Sequence, residues 1–506
     1  MAGHYFLILD NGGTNTRALL FDEEGAQIGV SVFNTPWIQD RAEMREIDLK
    51  GMRDSLFAAI RQVLSQTGIL PKDIACITCV GHGKGLYLLG KNREIFCNGI
   101  LSTDERANDL AKSFETRIEE IYPISHQHVM ASQAPVLLRW IKDHEPERYD
   151  GIGNVFSAKD FVRYLLTGGI HQEIGDASGN NLINLKTRNY DDRLLAFFGV
   201  SEARQWLPGL VESADIVDKV DAQASYETGL IEGTPVTGGL FDIDAGTLGS
   251  GTLNHNHYSV IAGTWSINTY LCKEPTPRML GIMNSLFLKD RVLVEASSPT
   301  SSGNLSRILR LLSPTGKESD EDYRRLEANL QQEDADFTQV LYTPFLYGSN
   351  SDPDAMASFV GLGSTTTRMQ LVRAVYEGVV FAHRQHIDQL LRSDTTRPQS
   401  LRICGGAANS PSWMQMFADI IGIPVQTIKG HEITGLGGAV LSAYATGGYS
   451  DLRQAADHMI HVDSNFEPDG AQHRKYDEKY QRYQILLDAL DGVWSKLHAT
   501  RKEGTR

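Results

Sequence analysis

Cysteine is scarce in this chain of 506 residues: Cys76, Cys79, Cys97, Cys272 and Cys404 are an odd five that cannot all pair. That argues against a disulfide-stapled secreted scaffold. Basic residues are short as well, 48 against 63 acids, which leaves a net charge of −15. Such a balance repels phosphodiester backbones and anionic lipid heads, so a dedicated nucleic-acid or membrane-surface role is not expected. A small anion is still allowed, because a few backbone amides hold it whatever the net charge. Long apolar runs are missing too. Asp10 interrupts the first one and no cationic stretch precedes it, so no signal peptide is expected. From Ala245 to Cys272 there is no Asp, Glu, Lys or Arg, but the Gly, Ser, Thr, Asn and His there bar it from a bilayer. What remains, 41% hydrophobic and 22% charged residues, reads as a cytoplasmic enzyme or switch of two or three domains.

The opening reads as strands joined by tight turns. Tyr5 to Leu9 is apolar, Asn11-Gly12-Gly13 turns, Ala18 to Phe21 is apolar again, and Asp22 to Gly25 turns into Ile28 to Phe33. A helix follows, with Asp48 as N-cap and Met52, Leu56, Phe57, Ile60, Val63 and Leu64 on one face. The strand Ile74 to Val80 then opens into Gly81-His82-Gly83-Lys84-Gly85, and Tyr87-Leu88-Leu89 starts another strand. About 250 residues later the opening is echoed: Ser259 to Ala262, a Gly263-Thr264 turn, and Ile267 to Cys272. Two such copies suggest a duplicated α/β unit with a nucleotide between its halves, and Gly246 to Gly251 is the expected hinge. A third glycine turn, Gly405-Gly406-Ala407, precedes a helix capped by Ser410, opened by Pro411 and ended by Gly422. The last residues, with Tyr480, Tyr483, Leu486, Leu487 and Leu490, read as a packing helix.

Three glycine turns after apolar strands form the main chemical signal. Glycine lets the backbone approach a phosphate and aim successive N–H groups at it. A single turn of this kind is ordinarily only a hairpin. Asp10 at the mouth of the first turn would repel bare phosphate, so it makes sense with Mg²⁺ between them. Thr14 and Arg17 add a hydroxyl and a charge. Asp242, in Gly238-Gly239-Leu240-Phe241-Asp242-Ile243-Asp244, falls where a helix N-terminus favours a carboxylate, as a base for a sugar hydroxyl requires. A plain cap is the alternative there, and Asp244 is its competitor. His82, Lys84, Asp104 and Arg106 are polar candidates for holding a polyol, although lone loop charges are ordinarily only solvated.

Other signatures fail. Gly316-Lys317 is followed by Glu318, so there is no phosphate loop of the GxxxxGK[ST] type. The glycine spacing around His82 and Lys84 is wrong for a nicotinamide cofactor. Cys76 and Cys79 lie on a strand without a helix N-terminus to activate a thiol.

Taken together these residues resemble the FGGY family of carbohydrate kinases, within the actin, hexokinase and heat-shock ATPase superfamily. The most specific stretch runs from Gly405-Gly406-Ala407 through Ser412-Trp413-Met414 to Ile423-Pro424-Val425, supported by Lys159-Asp160-Phe161, Asp176-Ala177-Ser178 and Gly263-Thr264-Trp265. Within the family, Gly83-Lys84-Gly85-Leu86, Pro299 to Leu305, Pro344 to Asn350 and Tyr376 to Phe381 look most like the bacterial branch acting on L-xylulose.

The resemblance implies two actin-like (ribonuclease H-like) α/β domains, 1–248 and 249–506, around a central cleft. The sugar and the catalytic acid lie on the first side, and ATP with Mg²⁺ on the second. It implies Asp242 as base and Asp10 as the metal-associated carboxylate. Gly12, Gly13 and Thr14 meet the phosphates opposite Gly263 and Thr264, while Gly303, Gly405, Gly406 and Asn409 line the adenine and ribose pocket. The expected reaction is ATP-dependent phosphorylation of a primary hydroxyl of a ketopentose or related polyol, L-xylulose foremost. The alternatives are D-xylulose, ribulose, 3-keto-L-gulonate, a tetritol, or a non-catalytic actin-like nucleotide switch. His82 and Lys84 depart from the family's usual sugar loop, and Ser102-Thr103 replaces a common tryptophan before Asp104. A sugar or polyol is the expected partner, without nucleic acid or membrane, and a homodimer is allowed.

Overall fold

The computed structural model describes residues 4–13, 15–279, 281–313, 320–349, 354–394 and 396–497. Two seven-stranded sheets organise these residues. In the first, Tyr5–Asn11 pairs antiparallel with Asn15–Asp22 and parallel with Ile74–Gly81. Gln27–Asn34 flanks it on one side, and Pro235–Thr237 and Leu240–Phe241 lie on the other. In the second, His257–Ala262 pairs antiparallel with Ser266–Cys272 and parallel with Ser400–Cys404, which is followed by Val425–Ile428. The echo in the sequence is therefore a repeated pairing scheme. Both central strands run parallel to a neighbour reached through helices, so both faces are covered and the strands are largely buried. Leu7, Ile8, Leu9, Ile77 and Val80 have no exposed surface.

Local chemistry sets the elements. Helix Leu49–Thr67 starts where the Asp48 side chain accepts from Lys50 N, and it ends at Gly68 with φ +70°. Its apolar face, Met52 to Leu64, covers the first sheet. Helix Pro411–Ile421 is capped by Ser410, which accepts from Trp413 N, and it stops at the left-handed Gly422. The terminal helix Gly470–Asp491 buries Tyr480 and Tyr483 in the core of the second sheet.

Two helices are exchanged between the halves. Helix Asp242–Gly249 follows the first sheet and packs against His257–Ala262 and Ser266–Cys272 of the second. Helix Ile433–Ala445 follows the second sheet and packs against Tyr5–Asn11 and Ile74–Gly81 of the first. Each is pinned by a hydroxyl pair: Thr247 to Thr269 at 2.8 Å, and Ser442 to Thr78 at 2.7 Å. The expected hinge, Gly246 to Gly251, is helical as far as Gly249, and Gly246 and Gly249 let that helix press against Ile261 and Ile433. No helix among the described residues is long and apolar enough to cross a membrane.

Candidate active site

Strand register brings the acids together. Asn11, Gly81 and Phe241 are neighbours across three parallel strands, so Gly12, His82 and Asp242 emerge side by side at one edge. The bend before Asp242 needs glycine. Gly239 has φ +90°, and a Cβ there would lie 2.5 Å from the Cys79 carbonyl oxygen. Asp242 is the first residue of its helix, and Phe241 holds the cap position, so the plain-cap alternative does not describe it. Its Oδ1 accepts from Ile243 N at 2.8 Å. Burial, then the nearby Asp10 charge, push its carboxyl up to about 7, with Lys84 pulling the other way.

Asp10 is 6% exposed. Arg17 faces it directly across the antiparallel pair, with Nη1 3.5 Å from Oδ2, and the same guanidinium reaches Glu432 Oε2 at 3.0 Å. Burial lifts the Asp10 carboxyl to about 6; Arg17 opposes that, Glu432 adds to it, and the Thr434 hydroxyl lowers it. Glu432 and Thr434 stand at the start of the exchanged helix Ile433–Ala445, so the second half of the chain contributes to the setting of Asp10. Sequence reading missed both. His431-Glu432 signals only an incomplete zinc motif, and the 415-residue separation from Arg17 leaves no local trace.

His82 is buried, its Nε2 2.7 Å from the Tyr87 hydroxyl, and burial drops its imidazolium to about 4, so the ring is neutral near pH 7. Lys84 is half-buried with φ +65° and makes no hydrogen bond or ion pair among the described residues. Asp104 and Arg106 are buried and joined to each other. Asp104 accepts from Arg45 N and from Arg106 N, Nε and Nη2, and Arg106 also holds Glu46 at 2.8 Å. Asp104 is thus heavily engaged, whereas Arg106 Nη1 is a buried donor without a partner.

Beneath Asp242 lies a buried ionic cluster that the sequence does not announce. Lys159 reaches Asp160 at 2.9 Å, Glu173 at 3.4 Å and Asp176 at 3.5 Å. Burial raises Asp176 to about 6 against the pull of Lys159, and its negative charge also acts on Asp242. Asp244 has no exposed surface, neither of its oxygens has a hydrogen-bond partner, and burial raises its carboxyl well above the usual range. It faces this cluster rather than the strand edge.

In the second half the glycine turns converge. The Gly263-Thr264 turn follows Ala262, and Gly405 has φ +95°, where a Cβ would lie 2.9 Å from the Ala262 carbonyl oxygen and 3.3 Å from the Gly263 nitrogen. Gly303 abuts Thr264, and Ser302 Oγ donates to Gly263 O at 2.6 Å. Gly406 to Asn409 form a short 3₁₀ turn beyond. A Cβ at Gly13, Gly263 or Gly406 would meet no heavy atom within 4 Å, so these turns border open space. Thr14 lies outside the described residues. Cys76, Cys79 and Cys404 are buried and their thiols are pushed up to about 12 by burial, so they serve packing.

Comparison with known proteins gives this arrangement its context. The N-terminal domain description of the FGGY family of carbohydrate kinases matches residues 5–249, and the C-terminal domain description matches residues 258–446. The chain is 35% identical to the L-xylulose/3-keto-L-gulonate kinase of Escherichia coli, covering 99% of both proteins. It is 32% identical to a probable L-xylulose kinase of Haemophilus influenzae, covering 97% of this chain and 100% of that one. Among solved structures, a ligand-bound xylulose kinase from Lactobacillus acidophilus superposes with a TM-score of 0.89 at 21% identity, covering 97% of this chain and 99% of that one. Glycerol kinase from Plasmodium falciparum with ADP gives 0.83 at 18% identity, covering 96% and 99%.

Proposed function

Because this chain belongs to the FGGY family of carbohydrate kinases, of the xylulose kinase type, we propose that it transfers the γ-phosphoryl group of ATP to a primary hydroxyl of L-xylulose, forming L-xylulose 5-phosphate. Residues 1–248 hold the sugar and 249–506 the nucleotide. The single observation that carries the reading is the common strand edge of Asn11, Gly81 and Phe241, which sets Asp10 beside Asp242. The names of the relatives at 35% and 32% identity support the choice of sugar.

ATP with Mg²⁺ fits the residues present. Asp242 is raised by burial and by Asp10, and Asp10 by burial and by Glu432, so this pair of carboxyls is short of positive charge, since Arg17 is shared with Glu432. Gly13, Gly263 and Gly406, one in each of the three glycine turns, offer backbone beside open space. No cluster of three or more metal-ligating side chains occurs among the described residues, which suits an ion held largely by phosphate oxygens and water with Asp10 alone. Bound there, the metal nucleotide supplies the phosphoryl group and the charge that offsets its negative oxygens.

The protein's own residues do the rest. Asp242 takes the proton of the attacking hydroxyl. With its pKa about 7, it is a base strong enough to accept that proton yet largely ionised just above neutrality. Lys84, His82 and Arg106 Nη1 orient the sugar, Lys84 also favouring the ionised form of Asp242. Closure of the halves excludes water, so the bound alcohol and not solvent attacks.

The test is an ADP-release assay across ketopentoses of both hands, pentitols and keto-acid sugars. L-Xylulose should give the highest kcat/KM. A higher value for 3-keto-L-gulonate or D-xylulose would replace the sugar, and ATPase activity indifferent to every polyol would replace the enzyme with a nucleotide switch.

A further inference from the structure

The Gly263-Thr264 turn and the segment around Gly303 are tied together by one fully buried side chain. His383 lies in helix Arg368–Ser393 and has no exposed surface. Its Nδ1 is 2.9 Å from Ser266 Oγ and 2.9 Å from Asn268 Oδ1, and its Nε2 is 2.9 Å from Ser301 Oγ. Ser266 comes just after the Gly263-Thr264 turn, and Ser301 comes just before Gly303.

The direction of each bond follows from the donors present. Asn268 Nδ2 donates at 3.2 Å to the Ala296 carbonyl, which can only accept, so the amide oxygen is the atom that meets the ring. That oxygen cannot donate, so Nδ1 carries the proton. Burial, then the neighbouring His386, hold the imidazolium well below its ordinary range. The ring is therefore neutral, Nε2 is a bare acceptor, and the Ser301 hydroxyl donates to it. Ser301 stands at the cap position of helix Ser302–Leu312, where a serine hydroxyl ordinarily accepts from the first helical amides. It makes no such bond, and its hydroxyl is turned to His383 instead.

The two segments also touch directly. Ser302 Oγ donates to Gly263 O, and a Cβ on Gly303 would lie 3.1 Å from Thr264 Cγ2, while Thr264 itself is exposed. From the same helix as His383, His386 Nε2 reaches Ser298 Oγ at 2.7 Å, and Ser298 Oγ is 2.7 Å from Thr300 Oγ1. Ser298 to Ser301 is thus held at both ends by one helix. We propose that His383 is a positioning residue for the nucleotide, fixing the Gly263-Thr264 turn against the Gly303 segment in the arrangement that receives ATP. The inference rests on the reading of residues 249–506 as the nucleotide side. Without the link, the segments have to be ordered at each binding event, so the loss falls on nucleotide affinity.

The test pairs calorimetric titration of the full-length protein with MgADP and steady-state kinetics. His383→Asn keeps a donor near the place of Nδ1 and removes the acceptor for Ser301. Ser301→Ala cuts the same link from the other side and leaves the imidazole in the core, so the test does not hang on one buried substitution. Each should weaken MgADP and raise the ATP KM about fivefold, the scale of one neutral hydrogen bond, with the sugar KM unchanged. The double variant should be no weaker than either single one, because both remove one interaction. A merely structural role would lower the active fraction and with it kcat, leaving both KM values where they were, and that result would overturn the proposal. So would ATP and sugar KM values that rise together, or losses that add in the double variant. A wild type that binds no MgADP would overturn the nucleotide reading itself, whereas wild type and variants binding it equally would overturn the role of His383 alone.

Discussion

Gly249 and Gly437 meet where the two exchanged helices cross: a Cβ on Gly437 would lie 2.0 Å from the Ala245 carbonyl oxygen, and one on Gly249 would lie 2.0 Å from that of Ile433. Backbone touches backbone there, so neither position has room for a methyl group. Gly437→Ala has to push the helices apart. The expected loss is about 2–3 kcal/mol of stability, the scale of overpacking in a dense core. Because those helices also carry Asp242 and Thr434, kcat should fall with it. Denaturant melts beside steady-state kinetics check this. A Gly437→Ala enzyme with unchanged midpoint and turnover would mean that the crossing is looser than its geometry indicates.

Asp242 and Asp244 are two residues apart but face different surroundings. Asp242 is at the strand edge with Asp10, whereas Asp244 is sealed without a hydrogen-bond partner. Asp242→Asn should lower kcat by ~10²–10⁴ with little change in ATP affinity, since an amide cannot accept the proton. Asp244→Asn should keep kcat within about fivefold, because it exchanges one neutral buried group for another of similar shape. Rapid-quench measurement of phosphoryl transfer in both variants decides between them, and the reverse ranking would reassign the base.

Much of this site was legible because glycine and short-range signals carry it. Asp48, Ser410 and Gly422 bound their helices as the spacing predicts, and the Gly12-Gly13 and Gly263-Thr264 turns sit at equivalent places in two similarly paired sheets. What was not legible depends on contacts between distant segments. The Arg17–Glu432 pair, the seating of each exchanged helix on the other half's sheet, and the Lys159 cluster have no local periodicity to betray them. Asp104 and Arg106 show the converse. Their spacing suggests ligand groups on a loop, yet tertiary packing turns most of their hydrogen-bonding capacity inward.

Lys84 is a half-buried cation without an ion pair among the described residues, and its charge lowers the Asp242 carboxyl. Lys84→Met keeps the length of the side chain and removes the charge. Two separate effects should follow. The acid limb of the kcat/KM profile, which reports the free enzyme, should move to higher pH because Asp242 loses a stabilising neighbour. The sugar KM should rise about tenfold, the cost of losing one charged hydrogen bond. Lys84→Arg should restore the position of the limb. A profile that stays fixed in Lys84→Met would show that the lysine acts on the sugar alone.

Asp10, Asp176 and Asp242, with carboxyls raised to about 6, about 6 and about 7, make the ligand-free protein unusual in its response to pH. An ordinary carboxyl in the unfolded chain titrates near ~3.9. The folded state therefore holds these protons more tightly than the unfolded state does. Their contribution to stability is fully present below about pH 4 and is lost as pH rises through the folded values to about 7. Paired surface acids, such as Asp191 with Arg193, act in the opposite sense, so the total is best read as a difference between variants. Asp242→Asn removes one proton-dependent group and should be more stable than the wild type by about 1 kcal/mol at pH 8, the shift being discounted for the partial exposure of the carboxyl. At pH 4.5 the two should coincide. Adding MgATP should stabilise the wild type as well, by mass action and by supplying the missing positive charge near Asp10. Thermal melts of both proteins at pH 4.5, 6 and 8, with and without MgATP, measure each of these differences. A wild-type advantage at pH 8 without ligand would contradict the picture of two crowded, undercompensated acids at the strand edge.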